Sequence, residues 1–294
     1  MVKPNLPIRI VLAAAAAGTL LLSTGAASSA AAPWVVATDG DPVAGASAGP
    51  QPEVHAFEIH ILRSRLGHAP RATARHAQAI RARALALVAP ASSPSPCVDK
   101  KYSFGTGAAR AHWQQTFNWY YRVRTTPDNL SDDAVIKTLK RSVRNIVNAH
   151  NDCGHADKVG ATAVYQGTTD RTPAPTDKGT CDSASQDGKN VIGFGRLPAG
   201  IAGLTCVWSI GDRIIEADIK LDRRAKWATS LAACSVQSIV EAVATHEFGH
   251  AFGLGHVPEA THGRLTMSER LDGYCQDAEA TLGKGDWLGL EALY

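Results

Sequence analysis

The amino-acid sequence predicts a folded domain of the α+β class in the part of the chain that follows residue 96. Three observations support this prediction. Hydrophobic residues make up 45% of the 294 residues and charged ones 19%, which is typical of a folded soluble protein. Residues 97–294 show periodic hydrophobic patterns, whereas residues 33–96 are rich in Ala, Pro, Gly and Ser. The periodic segments follow the order strand, helix, several strands and then two more helices.

The first predicted elements are a half-exposed strand and a long amphipathic helix. Residues 117–124 alternate between two faces of a strand, one of them apolar. Ser131 can cap the start of the helix, and Asp132 and Asp133 suit the positive end of its dipole. Apolar residues at helical spacing then continue the helix, which we expect to end near Gly154. These apolar residues are Ile136, Leu139, Val143, Ile146 and Val147.

Four more strands and two more helices are predicted after this helix. The last two strands form a hairpin joined at Gly211 and Asp212. A second helix begins at Ser235 and runs into a group of histidines, and a third begins near Asp286. The four strand-like runs span residues 161–166, 190–194, 204–210 and 213–221.

The first 96 residues are expected to lie outside the folded domain, which we place at residues 97–294. Lys3 and Arg9 precede an uncharged stretch and then small residues, which predicts a signal peptide at residues 1–32. Its apolar part is about 13 residues long, whereas a membrane span needs roughly 20, so we expect a secreted protein without stable membrane association. Residues 33–96 contain few large apolar side chains and fit a pro-segment and a disordered linker equally well.

The six cysteines all follow residue 96. An even number in an exported chain predicts three disulfides, with buried free thiols as the alternative. Six cysteines allow many connectivities, and sequence order favours the pairing of each cysteine with the next. The favoured pairs are Cys97 with Cys153, Cys181 with Cys206, and Cys234 with Cys275.

The net charge of +3 arises from the first 96 residues, which contain 8 basic and 4 acidic residues. Residues 97–294 contain the remaining 22 basic and 23 acidic residues, so the predicted domain is close to neutral. A neutral domain lacks the basic surface that binds phosphates, and nucleic acid is therefore not expected as a partner.

The candidate site is the segment HEFGHAFGLGH at residues 246–256. His246 and His250 are four residues apart on a predicted helix, so their side chains share a face and can bind one zinc ion. Gly253 can adopt a positive φ and end the helix, which allows His256 to become the third ligand. Glu247 can reach the open coordination position, where a carboxylate acts as a general base.

This arrangement predicts peptide-bond hydrolysis by a zinc-bound water. Three neutral ligands leave zinc its full charge, which lowers the pKa of the water towards about 7. Glu247 would take the proton of that water during attack on the peptide carbonyl and pass it to the leaving amine. The alternative is a non-catalytic exported binding module stabilised by zinc. Structural zinc, however, usually has a fourth protein ligand and needs no base.

The motif, together with Met267 in the segment Leu-Thr-Met-Ser, resembles the metzincin zinc peptidases and, among them, the matrixins. The resemblance covers about residues 102–294 and is strong at the site alone. It implies a secreted metalloendopeptidase with a twisted five-stranded mixed sheet packed on the active-site helix and three main helices. Met267 would form the Met-turn, an apolar floor below the metal. The strand near residues 204–209 would be an edge that binds an extended protein or peptide substrate, and we expect the enzyme to act as a monomer.

Two departures from the matrixin pattern limit the expected cofactors to one catalytic zinc ion. Lys220 stands where the family has a histidine ligand of a second zinc, and the acids that would bind calcium beyond Asp222 are replaced at residues 223–225. Whether the protein also binds calcium is left open by the sequence. Glu216 and Asp218 are expected to be acids on an exposed strand face, and a role as metal ligands is the alternative. No cysteine precedes residue 97, so a thiolate of residues 33–96 cannot cap the zinc.

Overall fold

The computed structural model of the chain describes residues 50–61, 93–271 and 273–294. The predicted signal peptide and most of residues 33–96 lie outside the described residues. Among the residues described, no helix combines the length and the apolar character that crossing a bilayer requires.

Nine strands occur in the described part of the chain, and seven of them form one mixed sheet. They are β1 (Glu53–Ile61), β2 (Phe117–Arg122), β3 (Ala163–Thr169), β4 (Asn190–Gly195), β5 (Ile201–Ile210), β6 (Arg213–Asp222), β7 (Trp227–Ala228), β8 (Ser238–Ile239) and β9 (Arg270–Leu271). The order in the sheet is β3-β2-β4-β6-β5-β1-β9, and β7 pairs with β8 alone. Antiparallel pairs join β5 to β6 and to β1, and the other pairs in the sheet are parallel.

The five strands predicted from the sequence correspond to β2 through β6, and the sheet contains two more, β1 and β9. Residues 53–61 contain four large apolar residues, Val54, Phe57, Ile59 and Ile61, but they stand in a stretch rich in Ala, Pro, Gly and Ser, for which the sequence predicts a pro-segment or linker and no strand. A strand that joins an existing edge takes its hydrogen bonds from the neighbouring strand and needs to bury little itself. Within β1, Ile59 is fully buried. The edge predicted to be free, at residues 204–209, is therefore covered by β1.

The described residues form three long helices, the number expected, and one short helix. They are α1 (Asp132–Val147), α2 (Val240–Ala251), α3 (Glu259–His262) and α4 (Lys284–Leu293). The start of α1 is as predicted, because the Ala134 amide donates to the Ser131 hydroxyl. It ends earlier than predicted, and Ala149 just beyond its end has a φ of 48°. The start of α2 is later than predicted, because residues 238–239 pair with β7.

Aromatic packing fixes α2 against the sheet. The ring of Phe117 in β2 lies 6.2 Å from that of Phe248 and 5.3 Å from that of Phe252, measured between centroids. Trp119, also in β2, lies 5.9 Å from Phe248. All four side chains are buried. This core sets the position of α2 and therefore of the histidines that it carries.

The three disulfides have the predicted pairing. They join Cys97 to Cys153, Cys181 to Cys206, and Cys234 to Cys275. The second pair attaches the loop before β4 to β5, and the third attaches the segment before α2 to the segment after β9. Each therefore restrains a segment that connects elements of the fold.

Candidate metal centre

Three histidine side chains meet at the C-terminal end of α2. The Nε2 atoms of His246 and His250, one helical turn apart, are separated by 2.9 Å. Gly253 then has a φ of 96°, and a β-carbon there would lie 2.4 Å from the Ala111 carbonyl oxygen, so the turn requires glycine. Beyond the turn, His256 Nε2 lies 3.1 Å and 3.0 Å from the other two Nε2 atoms. The structure thus brings together all three histidines singled out in the sequence.

The hydrogen bonds of two Nδ1 atoms show which nitrogen of each ring carries the proton. His246 Nδ1 lies 2.7 Å from the Thr266 carbonyl oxygen, and His250 Nδ1 lies 2.9 Å from the Leu254 carbonyl oxygen. A carbonyl oxygen can only accept, so each Nδ1 carries the proton and each Nε2 presents a lone pair. Converging lone pairs cannot bond to one another, whereas one cation satisfies them together. Ligands about 2.0–2.1 Å from a tetrahedral zinc ion lie about 3.3 Å apart, so the cluster fits this ion.

Burial keeps the three rings in the neutral form that binds metal. It lowers the pKa of His246 and of His250 well below the usual value, and the neighbouring histidines lower both further. Burial also lowers the pKa of His256 to about 4, with a smaller effect from His60. At neutral pH, protons therefore do not compete with a cation for these lone pairs.

Glu247 follows the first histidine and is fully buried beside β5. Thr205 donates a hydrogen bond to its Oε2, whereas Oε1 has no hydrogen-bond partner among the described residues. A β-carbon built on Gly203 would lie 2.4 Å from Oε1, so the carboxylate lies directly against the β5 backbone. Burial, together with the charge of Glu58, raises the pKa of Glu247 well above its usual value. Such a carboxyl group is suited to accept a proton from water.

Met267 packs against α2 next to the histidine cluster. Its side chain is buried, and a β-carbon built on Gly249 would lie 2.3 Å from its Sδ atom. Position 249 must therefore be glycine for the methionine to approach the helix this closely. The Val257 amide donates to the Met267 carbonyl oxygen over 2.9 Å, so the same turn supports the residue that follows His256.

A comparison with known protein families finds a match in this part of the chain. The model of the family described as matrixin matches residues 203–294. This region is matrixin-like. The match includes all of α2, the three histidines and Met267, whereas β1 to β4 precede it. No curated protein matches the chain.

Asp286 is a residue of the matrixin-like region whose place in the site was missed from the sequence. Its buried carboxylate accepts hydrogen bonds from the amides of Thr266 at 2.9 Å and Met267 at 3.2 Å. The amide of Gly283 also donates to it, over 2.9 Å. Because the Thr266 carbonyl oxygen in turn accepts from His246, Asp286 fixes the turn that orients a histidine. In the sequence, an acid at the start of a helix indicates only a favourable interaction with the helix dipole.

Glu216 and Asp218 correct an expectation, because both are buried rather than exposed. Their exposed fractions are 0% and 3%. The segment that contains residues 174–191 covers this face of β6 and supplies the hydrogen-bond donors. The donors are the backbone amides of Asp187 and Gly188 for the first acid, and of Ala174 and Val191 for the second. Strand periodicity shows which residues share a face, but it does not show that a distant loop covers that face.

Lys220 lies further along the same face of β6, where the matrixin resemblance would place a metal ligand. Its Nζ donates to the Pro175 carbonyl oxygen and lies 3.9 Å from an oxygen of Asp177. Burial lowers the pKa of Lys220, and the charge of Asp177 opposes this effect. The segment over β6 is thus attached to the sheet by a cationic side chain of the protein itself.

Proposed function

We propose that this protein is a secreted zinc-dependent endopeptidase. The observation that carries the proposal is the convergence of three Nε2 atoms beside a buried carboxylate that has one unpaired oxygen. The matrixin match of residues 203–294 supports it. The three disulfides and the predicted signal peptide support export to an oxidising compartment.

His246, His250 and His256 would hold a single zinc ion through their Nε2 atoms. Zinc, when bound, supplies a Lewis acid that activates water and polarises the carbonyl of the substrate. The carbonyl oxygens that accept from two of the Nδ1 atoms hold the rings in the required tautomer and orientation. The described residues bring three ligands to the cluster and no fourth, which leaves a position for water and substrate.

Glu247 would move the proton. Thr205 fixes its Oε2, so Oε1 is the atom that takes a proton from the attacking water. The same carboxyl group would then give the proton to the amine of the leaving peptide. Its raised pKa, caused mainly by burial, suits a group that must hold a proton between these two steps.

The test is hydrolysis of unfolded casein by the purified protein. We expect activity with zinc and none with a chelator. Glu247→Gln should still bind one zinc ion and should lower kcat by about 10²- to 10⁴-fold, the usual size of a general-base effect. Glu291→Gln, at an exposed position of α4, is the matched control and should keep the wild-type rate.

Two results would contradict the proposal: activity that survives the chelator, or activity undiminished by Glu247→Gln. A protein that binds zinc and never hydrolyses casein would instead support the non-catalytic binding module.

A further inference from the structure

A groove lies between α1 and β3, at the edge of the sheet opposite to β9. β3 is the outermost strand there, and among the described residues it pairs with β2 alone. Strands β2, β4 and β6 separate it from β5, against which Glu247 lies, so the groove is distinct from the candidate metal centre. Its volume is about 400 Å³. Lining this α1–β3 groove are Lys137, Lys140 and Arg144 of α1 and Ala163, Val164 and Tyr165 of β3.

The α1 side of the α1–β3 groove is basic. Lys137, Lys140 and Arg144 follow one another at spacings of three and four residues, so they form one stripe along the helix, and all three are exposed. Arg141, beside them, pairs with Glu241 over 2.8 Å. No ion pair between described residues involves the three residues of the stripe, and no carboxylate lines the groove. The stripe is therefore a local excess of positive charge on a domain that is close to neutral.

The β3 side of the groove offers an open backbone edge and apolar contact. Val164 is 48% exposed, and the Tyr165 ring packs against that of the buried Trp119, with centroids 4.7 Å apart. Lys140 Nζ lies 4.3 Å from the centroid of the Tyr165 ring, so the cations and the strand share one surface. The pairing of β3 with β2 shifts register beyond Tyr165, after the residues that line the groove. An outermost strand presents unpaired amide and carbonyl groups, to which an extended peptide can bind as a further strand.

The open edge and the basic stripe together determine the chemistry of the partner. Alternate side chains of a strand added to β3 would point towards α1 at intervals of about 7 Å. Successive cations of the stripe are separated by about 4.5 and 6 Å along the helix axis, and their long side chains can adjust to that interval. Acidic side chains at alternate positions of the peptide would therefore each meet a cation. A polysaccharide has no row of amide and carbonyl groups to pair with β3.

We propose that the α1–β3 groove binds an extended acidic segment of a partner protein, which adds to β3 as a strand and places its carboxylates against Lys137, Lys140 and Arg144. This inference does not rest on the proposed function, because binding at this edge requires neither zinc nor Glu247. Exposed ion pairs each contribute little and are screened by salt. Binding therefore depends on the three cations acting together with the backbone pairing, and it should weaken as the salt concentration rises.

The experiment uses the full chain carrying Glu247→Gln, so that hydrolysis does not remove the probe. The probe is a fluorescein-labelled peptide of about eight residues in which Glu and Val alternate, a length within the usual range of a strand. A second probe has Lys in place of Glu. Fluorescence anisotropy should show that the Glu probe binds and that the Lys probe does not. Hydrogen exchange should show that the bound Glu probe protects amides of β3 and leaves those of β9, at the opposite edge, unchanged.

Two triple charge reversals test the basic stripe. The first reverses Lys137, Lys140 and Arg144 to Glu and should weaken binding of the Glu probe by at least about 10-fold. It should also bind the Lys probe, and this gain would show that the variant is folded. The control makes the same change in net charge at three exposed positions elsewhere and should keep the original affinity. Its substitutions are Lys158→Glu, Lys178→Glu and Arg264→Glu.

Three results would overturn the inference. The first is a Glu probe that does not bind, and the second is equal weakening by the two triple variants. The third is a bound Glu probe that leaves the amides of β3 unprotected. If heparin then bound with the same dependence on the basic stripe, the groove would be a site for polyanionic chains and not for an added strand.

Discussion

The histidines at the C-terminal end of α2 and the acids of β6 are residue types that bind metal, yet the fold gives their polar atoms different partners. The Nε2 atoms of His246 and His250 both present lone pairs, and His256 Nε2 lies 3.1 Å and 3.0 Å from them. The carboxylates of Glu216 and Asp218 instead accept hydrogen bonds from backbone amides. A metal site is therefore indicated by lone pairs that a cation alone can satisfy, and the residue types by themselves do not indicate it.

Lys220 strengthens this contrast. Its ammonium group already occupies the face of β6 that carries Asp218, and it bonds to the covering segment through Pro175. Burial raises the pKa of Asp218 to about 8, which favours the protonated form of this carboxyl group at neutral pH. Hard divalent cations bind charged carboxylates, so a neutral one beside an ammonium group is a poor ligand. The comparison predicts one zinc ion per chain and none at β6.

His250→Ala should have the largest effect. It removes one of three ligands, so we expect bound zinc to fall from about one ion per chain to almost none. Casein hydrolysis should fall to the level measured with a chelator. Metal analysis of the dialysed protein measures the first effect. Glu216→Gln is the control at β6 and should keep its zinc, and loss of metal from that variant would break the comparison.

Asp286→Asn should have the next largest effect. Whichever way the asparagine amide is turned, its NH2 group faces a backbone amide that now donates to Asp286. The turn at Thr266 should loosen and zinc affinity should fall by about 10- to 100-fold, as is usual for residues that orient metal ligands. Competition with a chelator of known affinity measures this. Unchanged affinity would show that the turn holds His246 without Asp286.

The candidate metal centre could be predicted from the sequence because local rules determine how its three histidines come together. Helical spacing places His246 and His250 on one face, and the positive φ of Gly253 returns the chain so that His256 joins them. Strands β2 to β6 were predictable for the same reason, since each shows its own apolar pattern. The disulfide pairs followed from their order in the chain.

The features that were missed depend on contacts between distant segments. β1 exists because residues 53–61 meet an edge formed by residues 201–209, and a local pattern does not show which edge a strand joins. Asp286 matters through a turn 20 residues before it. Glu216 and Asp218 are buried by a segment that precedes β5.

Asp218→Asn should change the pH dependence of stability and leave zinc binding unchanged. Because the folded protein holds the pKa of Asp218 at about 8, against an ordinary value near 4, the folded state binds a proton that the unfolded chain has lost. The stabilisation from this proton is complete below about pH 4 and is lost as the pH rises through about 8.

With a chelator present, the free energy of unfolding of the wild type should therefore fall more steeply between pH 5 and 7 than that of Asp218→Asn. The difference in slope should approach about 1.4 kcal/mol per pH unit for one proton. Urea denaturation at several pH values measures both slopes, and other titrating groups contribute equally to the two proteins. Parallel slopes would mean that Asp218 is ionised in the folded state, and the contrast between β6 and the histidine cluster would then depend on the backbone amides alone.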